Sequence, residues 1–371
     1  TQGTFYAATR WGLYRTRDGG ATWEPVTSGP STPNLLALAM DPGDARQLYA
    51  GTWEGAILHS ADGGATWERL HGPLERDAQI TGLEVCRFPE GSQERLILYA
   101  TTAGAGGIWR SLDLGRHWES LAEGLPARPV GAMRISRGPA PQLYVGVAQV
   151  VYRQPVHTQP AGSAAWERLT PDPLNGNVTS LLLTDTFEEL YAATDLGGIY
   201  YRSADEKVWR EVNRGISPAG AIITALALVP LEGRGVLLCA AADGEVFYSR
   251  DGGRRWTSGG KICGAQAVIT DMTADDRTPG VLYLATARSG LYRGRLQPAP
   301  LAPILGYGAG AVALAGIAFG GRYLWRRRRK RLMLQQRILL EQNWELWNQA
   351  IVEALVAHQQ VTPAMLPSIP P

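Results

Sequence analysis

An all-β propeller of seven blades is the fold this sequence predicts, and three observations carry the prediction. A unit of roughly 45 residues recurs along the first 300 positions, the spacing of four-stranded propeller blades. Each unit divides into short apolar runs bounded by turn residues, the signature of strands. The 44 glycines and 24 prolines of the 371 residues are spread between those runs as punctuation, so they mark turns and not a low-complexity segment.

The recurrence is plain in three segments: FYAATRWGLYRTRDGGATWEPV (5–26), LYAGTWEGAILHSADGGATWERL (48–70) and LYATTAGAGGIWRSLDLGRHWESL (98–121). Weaker copies follow at 143–169, 190–212, 237–259 and 282–296. The closing tryptophans Trp23, Trp67, Trp118, Trp166, Trp209 and Trp256 stand 44, 51, 48, 43 and 47 residues apart. In the second unit the strands are expected at 34–40, 48–52, 56–60 and around Trp67. Seven copies of the second and third strands, with six of the first and fourth, give seven blades over 1–297. Blade one then lacks its first strand and blade seven its fourth. Either these two meet where the chain ends pair, or the missing strand precedes Thr1.

The turn before each tryptophan reads Thr16, Asp18, Gly20, Thr22, Trp23 in blade one and Ser60, Asp62, Gly64, Thr66, Trp67 in blade two. Blade three keeps Ser111, Asp113, Gly115 and Trp118, and blade six Ser249, Asp251, Gly253 and Trp256. Blade five, with Ser203, Asp205 and Trp209, is one residue short, and blade four keeps Trp166 alone. The Asp side chain can accept from turn N–H groups, glycine supplies positive φ, and the indole fills space between the third and fourth strands. These are residues of architecture.

This turn resembles the Asp-box, or BNR repeat. Propellers with it include sialidases and other glycoside hydrolases, sortilin-type receptors and the photosystem II assembly factor with its bacterial relatives. The wording of the repeat is most similar to the last group.

After a linker at 298–302, residues 303–325 hold a long run rich in Ala, Gly, Leu and Ile, with Arg322 its only charge. As a helix rising about 1.5 Å per residue it spans a bilayer core of roughly 30 Å. Small residues four apart, Gly306 with Gly310 and Gly316 with Gly320, fit close helix packing. Arg326, Arg327, Arg328, Arg329, Lys330 and Arg331 follow at once, marking a cytoplasmic flank and a contact for anionic lipid head groups. An amphipathic cytoplasmic helix is expected to complete the segment 326–360, its face formed by Leu340, Trp344, Trp347 and Ile351, before an extended tail at 361–371. The formal net charge of +2 conceals this division. Before position 300 acids slightly outnumber bases, which argues against nucleic acid as a partner.

These features predict a single-pass protein of the cell membrane with an extracytoplasmic propeller. Its expected role is a non-catalytic subunit or assembly factor of a bacterial membrane complex, photosynthetic or respiratory, with membrane protein subunits as partners. Arg10, Trp11 and Arg288, on neighbouring loops of blades one and seven, are the candidate partner contacts. The alternatives are a sortilin-like receptor and a glycan-binding or glycan-hydrolysing propeller. Against an enzyme stand the lack of an evident carboxylate pair and of a sialidase-like Arg-Ile-Pro. Glu54, Asp195 and Asp243 lie in loops with no evident partner. The five histidines lack metal-ligand spacing and no phosphate loop is present, so no metal, cofactor or small-molecule substrate is expected. Cys86, Cys239 and Cys263 read as buried thiols.

Overall fold

The computed structural model describes residues 4–296 except 10–11, 27–33, 71–78, 104–106, 137–139, 163, 185–188, 204, 207, 217–220, 232–233, 242, 262–267, 276–277 and 287–289. Two compact units divide the chain, Thr1–Ala299 and Pro300–Pro371. The expected span, basic collar, amphipathic helix and tail all lie outside the described residues, as do Arg10, Trp11, Arg288 and Cys263. No helix among the described residues is long and apolar enough to cross a membrane.

The described residues form seven antiparallel sheets in chain order, over 5–25, 35–70, 80–120, 130–168, 178–211, 223–261 and 269–295. Each is a meander in which successive strands pair, as short Gly-rich turns dictate. The β-propeller class is thereby established. Five sheets have four strands, while the first and last have three. Sheet one opens with Phe5–Thr9, whose Tyr6 and Thr9 match Tyr49 and Thr52 in the second strand of sheet two. Six innermost strands therefore line the axis among the described residues: Leu35–Asp41, Ile80–Glu90, Val130–Ile135, Val178–Leu183, Ile223–Leu231 and Ile269–Ala274. The repeat count of seven thus corrects to six sheets with an inner strand, of which five are complete.

Second strands are covered on both faces by neighbouring sheets, so they read as unbroken apolar runs instead of alternating. Leu48 to Thr52 is buried throughout, as is Leu190 to Thr194. The second strand of sheet two also starts earlier than its apolar run, at Asp44, because the polar residues before Leu48 extend the ladder past the core. Between sheets three and four, Ile97, Tyr99 and Ile108 pack with Met133, Leu143 and Val145. Each such side chain contributes about 1.5–3 kcal/mol on burial. Cys86 joins this cluster as a free thiol, and burial pushes its pKa up to about 11.

A tyrosine near the middle of the second strand ties one sheet to the next. Tyr6 Oη donates to the Gly63 carbonyl at 2.7 Å, and Tyr191 Oη to that of Gly252 at 3.2 Å. Tyr283 Oη donates to Gly19 across 264 positions of sequence at 2.8 Å, and its ring lies 4.4 Å from that of Phe5. Sheet seven is thus latched to sheet one, and the acceptor each time is the first glycine of an Asp-box.

Candidate functional site

The Asp-box turns are wired as the sequence implies. Thr16 Oγ1 donates to Asp18 at 2.8 Å and accepts from Gly20 N at 2.8 Å, while Asp18 accepts from Thr22 N at 2.9 Å. Ser60, Asp62, Gly64 and Thr66 repeat these bonds. In sheet three His117 replaces the hydroxyl residue and its ring nitrogen meets Asp113 at 2.6 Å. Asp251 accepts from Arg255 N at 2.9 Å in sheet six. The side-chain bond from Thr22 and the backbone bonds behind it hold the pKa of Asp18 at about 2, and Thr66 does the same for Asp62. Partial burial works the other way at Asp113, but its bonds to His117 and Ser111 outweigh it and bring that carboxyl to about 2.

The tryptophans divide into two kinds. Trp67 and Trp118 donate to carbonyls of their own turns, Gly64 at 3.1 Å and Gly115 at 3.2 Å. Trp166, Trp209 and Trp256 instead donate to Leu121, Leu169 and Val212 of the preceding sheet, at 2.8, 3.0 and 2.7 Å. Their role is therefore between sheets as well as within one. Asp205 does not reproduce the Asp-box bonds among the described residues.

The charged groups that converge lie on innermost strands, where sequence reading did not look. Each of the six strands has a bulge at its start, and the residue after it is Ala37, Gly82, Ala132, Ser180, Ala225 or Asp271. Five small residues and one carboxylate thus share one structural position. Two ladder steps further in stand Ala39, Glu84, Arg134, Leu182, Ala227 and Thr273. Glu84 on sheet three and Arg134 on sheet four form an ion pair at 3.2 Å. Arg134 is also near enough to Asp271, on sheet seven, to stabilise its charge.

Asp271 exposes much of its surface to solvent yet is crowded by protein. Both hold for a group on the wall of a narrow channel, such as the one a propeller encloses. Desolvation raises its pKa, and the opposing pull of Arg134 and of the Met272 N–H, 2.8 Å away, does not cancel it. The arrangement is one carboxyl biased towards its protonated form, one carboxylate held by a guanidinium, and a cation between them. A carboxyl whose protonated form is favoured can serve as a proton donor.

The same end of the ring carries the loops between second and third strands. Trp53, half exposed, follows Thr52 there, and its N–H donates to Asn34 just before the inner strand. Glu54 is beside it and exposed. Leu36, Leu196, Ile222 and Val268 add exposed apolar surface at this rim. Asp195 is not without a partner, since it accepts from the Asn177 N–H and side-chain amide at 2.7 and 2.9 Å. Asp243 likewise accepts from Glu245 N at 3.2 Å.

Three comparisons bear on this geometry. The profile of the Sortilin-Vps10 family (sortilin, neurotensin receptor 3) matches residues 12–129, less than half of the chain. A xyloglucanase of Paenibacillus sp is 26% identical over 299 residues, covering 66% of this chain and 29% of the relative. The chain therefore spans under a third of that relative's length. Among solved structures, the GH74 xyloglucanase from Xanthomonas campestris superposes with a TM-score of 0.61 at 22% identity, over 80% of this chain and 50% of that one. A structure described as YCF48 bound to D1 peptide superposes with a TM-score of 0.56 at 18% identity, over 80% and 91%. At these identities the superpositions establish the propeller alone.

The expectation of a non-catalytic subunit or assembly factor of a membrane complex is corrected by the xyloglucanase relatives, which point to glycan hydrolysis. The acids that converge, Asp271 and Glu84, lie on strands and not in loops.

Proposed function

We propose that the protein is a glycan-hydrolysing propeller that acts at the rim of its central channel, with a xyloglucan-type polysaccharide as substrate. The observation that carries this reading is the triad Asp271, Arg134 and Glu84 on three inner strands, at positions otherwise small or uncharged. Protonated Asp271 donates to the glycosidic oxygen as general acid. Glu84, ion-paired with Arg134, takes the proton of the attacking water as general base. The two carboxyls stand on sheets seven and three, two ladder steps apart in strand position. Trp53 offers a flat apolar platform for a sugar face. An outward-facing propeller on a single span, as the arginine collar implies, would hold the enzyme where polysaccharide is met.

The test is hydrolysis of xyloglucan and its oligosaccharides, with products identified by mass spectrometry and the anomer first released by NMR. Asp271→Asn and Glu84→Gln should each lower kcat by about 10²–10⁴-fold. Full activity in both variants, or no hydrolysis by the intact chain, would overturn the proposal.

A further inference from the structure

A second charged site lies on the third strands, away from the inner ones. In four sheets a hydroxyl at one ladder position anchors the Asp-box: Thr16 opposite Phe5, Ser60 opposite Leu48, Ser111 opposite Leu98 and Ser249 opposite Leu237. Sheet five places Arg202 at that position, opposite Leu190. Ser203, which the spacing suggests as the box hydroxyl, falls one step along the ladder, opposite Glu189. A one-residue slip turns side chains to the other face of a sheet. The anchoring hydroxyl is thereby exchanged for a guanidinium.

That guanidinium is not neutralised. Arg202 Nε is buried with no hydrogen-bond partner among the described residues. Its electrostatic neighbours are Arg153, Glu167 and Tyr144, all on sheet four. Glu167 is already committed, accepting from Arg153 Nε at 3.1 Å. Among the described residues two guanidinium groups thus face one carboxylate. On sheet three the same pairing joins Arg110 to Glu119, while on sheet one Glu24 takes both Arg15 and a largely exposed Arg17. Burial and the charge of Arg153 both lower the pKa of Arg202. An unpaired buried donor is costly, and more so when charged. Arg202 is partly exposed as a residue although its Nε is buried.

We propose that Arg202 and Arg153 form an oxyanion-binding site at the junction of sheets four and five, taking a carboxylate or phosphate group. Planar guanidinium forks match both anions in two-pronged geometry. The site uses none of the channel residues, so its test is independent of glycan hydrolysis.

The experiment is calorimetric titration of the full chain with inorganic phosphate, acetate and glucuronate, against chloride at matched ionic strength. Saturable binding of phosphate, or of the two carboxylates, is expected, and the stronger arm names the source. Arg202→Ser, which restores the hydroxyl found in other sheets, should weaken binding at least tenfold. Arg202→Lys keeps the charge without the fork and should retain part of the affinity. Arg15→Gln should change nothing. Binding indistinguishable from chloride, or equal affinity in the Ser and Lys variants and the parent, overturns the proposal.

Discussion

Replacing Tyr283 by Phe deletes one hydroxyl at the seam where sheet seven meets sheet one. The ring stays in place against Phe5, so the change isolates the 2.8 Å bond to the Gly19 carbonyl. Tyr283 is 6% exposed, which leaves that carbonyl little water to replace its lost partner. The expected loss is about 1–1.5 kcal/mol. For a domain of this size it lowers Tm by roughly 2 °C, so chemical denaturation gives the better measure. Tyr49 supplies the control. It occupies the same place in sheet two, 1% exposed, but its hydroxyl has no partner, and burial pushes its pKa up to about 12. The next Asp-box has Leu114, with φ of 62°, where the others have glycine. Tyr49→Phe removes a buried, unsatisfied polar atom and should be neutral or stabilising by up to about 1 kcal/mol. Equilibrium unfolding in guanidinium, with m-values compared, decides the matter. Equal destabilisation by the two substitutions would show that burial of the ring, and not the bond to the Asp-box, couples the sheets.

Four further outcomes are expected. Stability should fall as pH drops from about 4 to about 2, because Asp18, Asp62 and Asp113 have folded-state pKa values lowered to about 2 and must take up protons there. Asp62→Asn should flatten that part of a plot of Tm against pH. Asp271 has the opposite sign: its folded-state pKa is raised, so ionising it at pH 7 opposes folding. Asp271→Asn should raise Tm at pH 7 and leave it unchanged near pH 3, even as hydrolysis is lost. Trp53→Ala should raise KM for xyloglucan oligosaccharides about tenfold with little change in kcat, the mark of binding lost equally from ground and transition states. Gly51→Ala should cost about 1–3 kcal/mol in denaturant unfolding, since its Cβ would meet Ile80 Cγ2 at 2.4 Å.

The repeat could be read from sequence because it is local. An Asp-box spans eight positions and its bonds run between residues two to four apart, as with Thr16, Asp18, Gly20 and Thr22. What connects the sheets is not local. The donor to Gly63 is Tyr6, 57 residues away, and no periodicity says that a strand tyrosine reaches the next turn. Copies of a motif count sheets, whereas the axis is lined by first strands, of which six are described. The channel residues went unnoticed since acids were sought in loops, where function commonly resides. Yet a signal was present. Aligning the inner strands puts Asp271 in register with Ala37, Gly82, Ala132, Ser180 and Ala225.

In a repeat protein the shared residues answer to the fold, and a site is most readily sought where one copy departs from the rest. Departures differ in kind, however, and physical cost separates them. Leu114 stands where the other turns have glycine and offers no polar side chain to a ligand. His117 in place of threonine changes the donor to Asp113 and keeps the turn. Asp271 and Arg202 are of a third kind. Each introduces a charge where its counterparts on the other sheets are uncharged, and each has its charged form disfavoured by desolvation. A scaffold copied from an apolar template has no need of either charge. Stability alone would favour an uncharged residue at both positions, and the other sheets supply Ala, Gly or Ser at the first and Thr, Ser, Gln or Gly at the second. Their persistence is best explained by a ligand that makes up the cost: a glycosidic oxygen that accepts the proton of Asp271, and an oxyanion that neutralises Arg202. If Asp271→Asn and Arg202→Ser both stabilise the free protein while abolishing separate binding events, the two departures are functional. If they stabilise it and abolish nothing, they are neutral drift in the repeat.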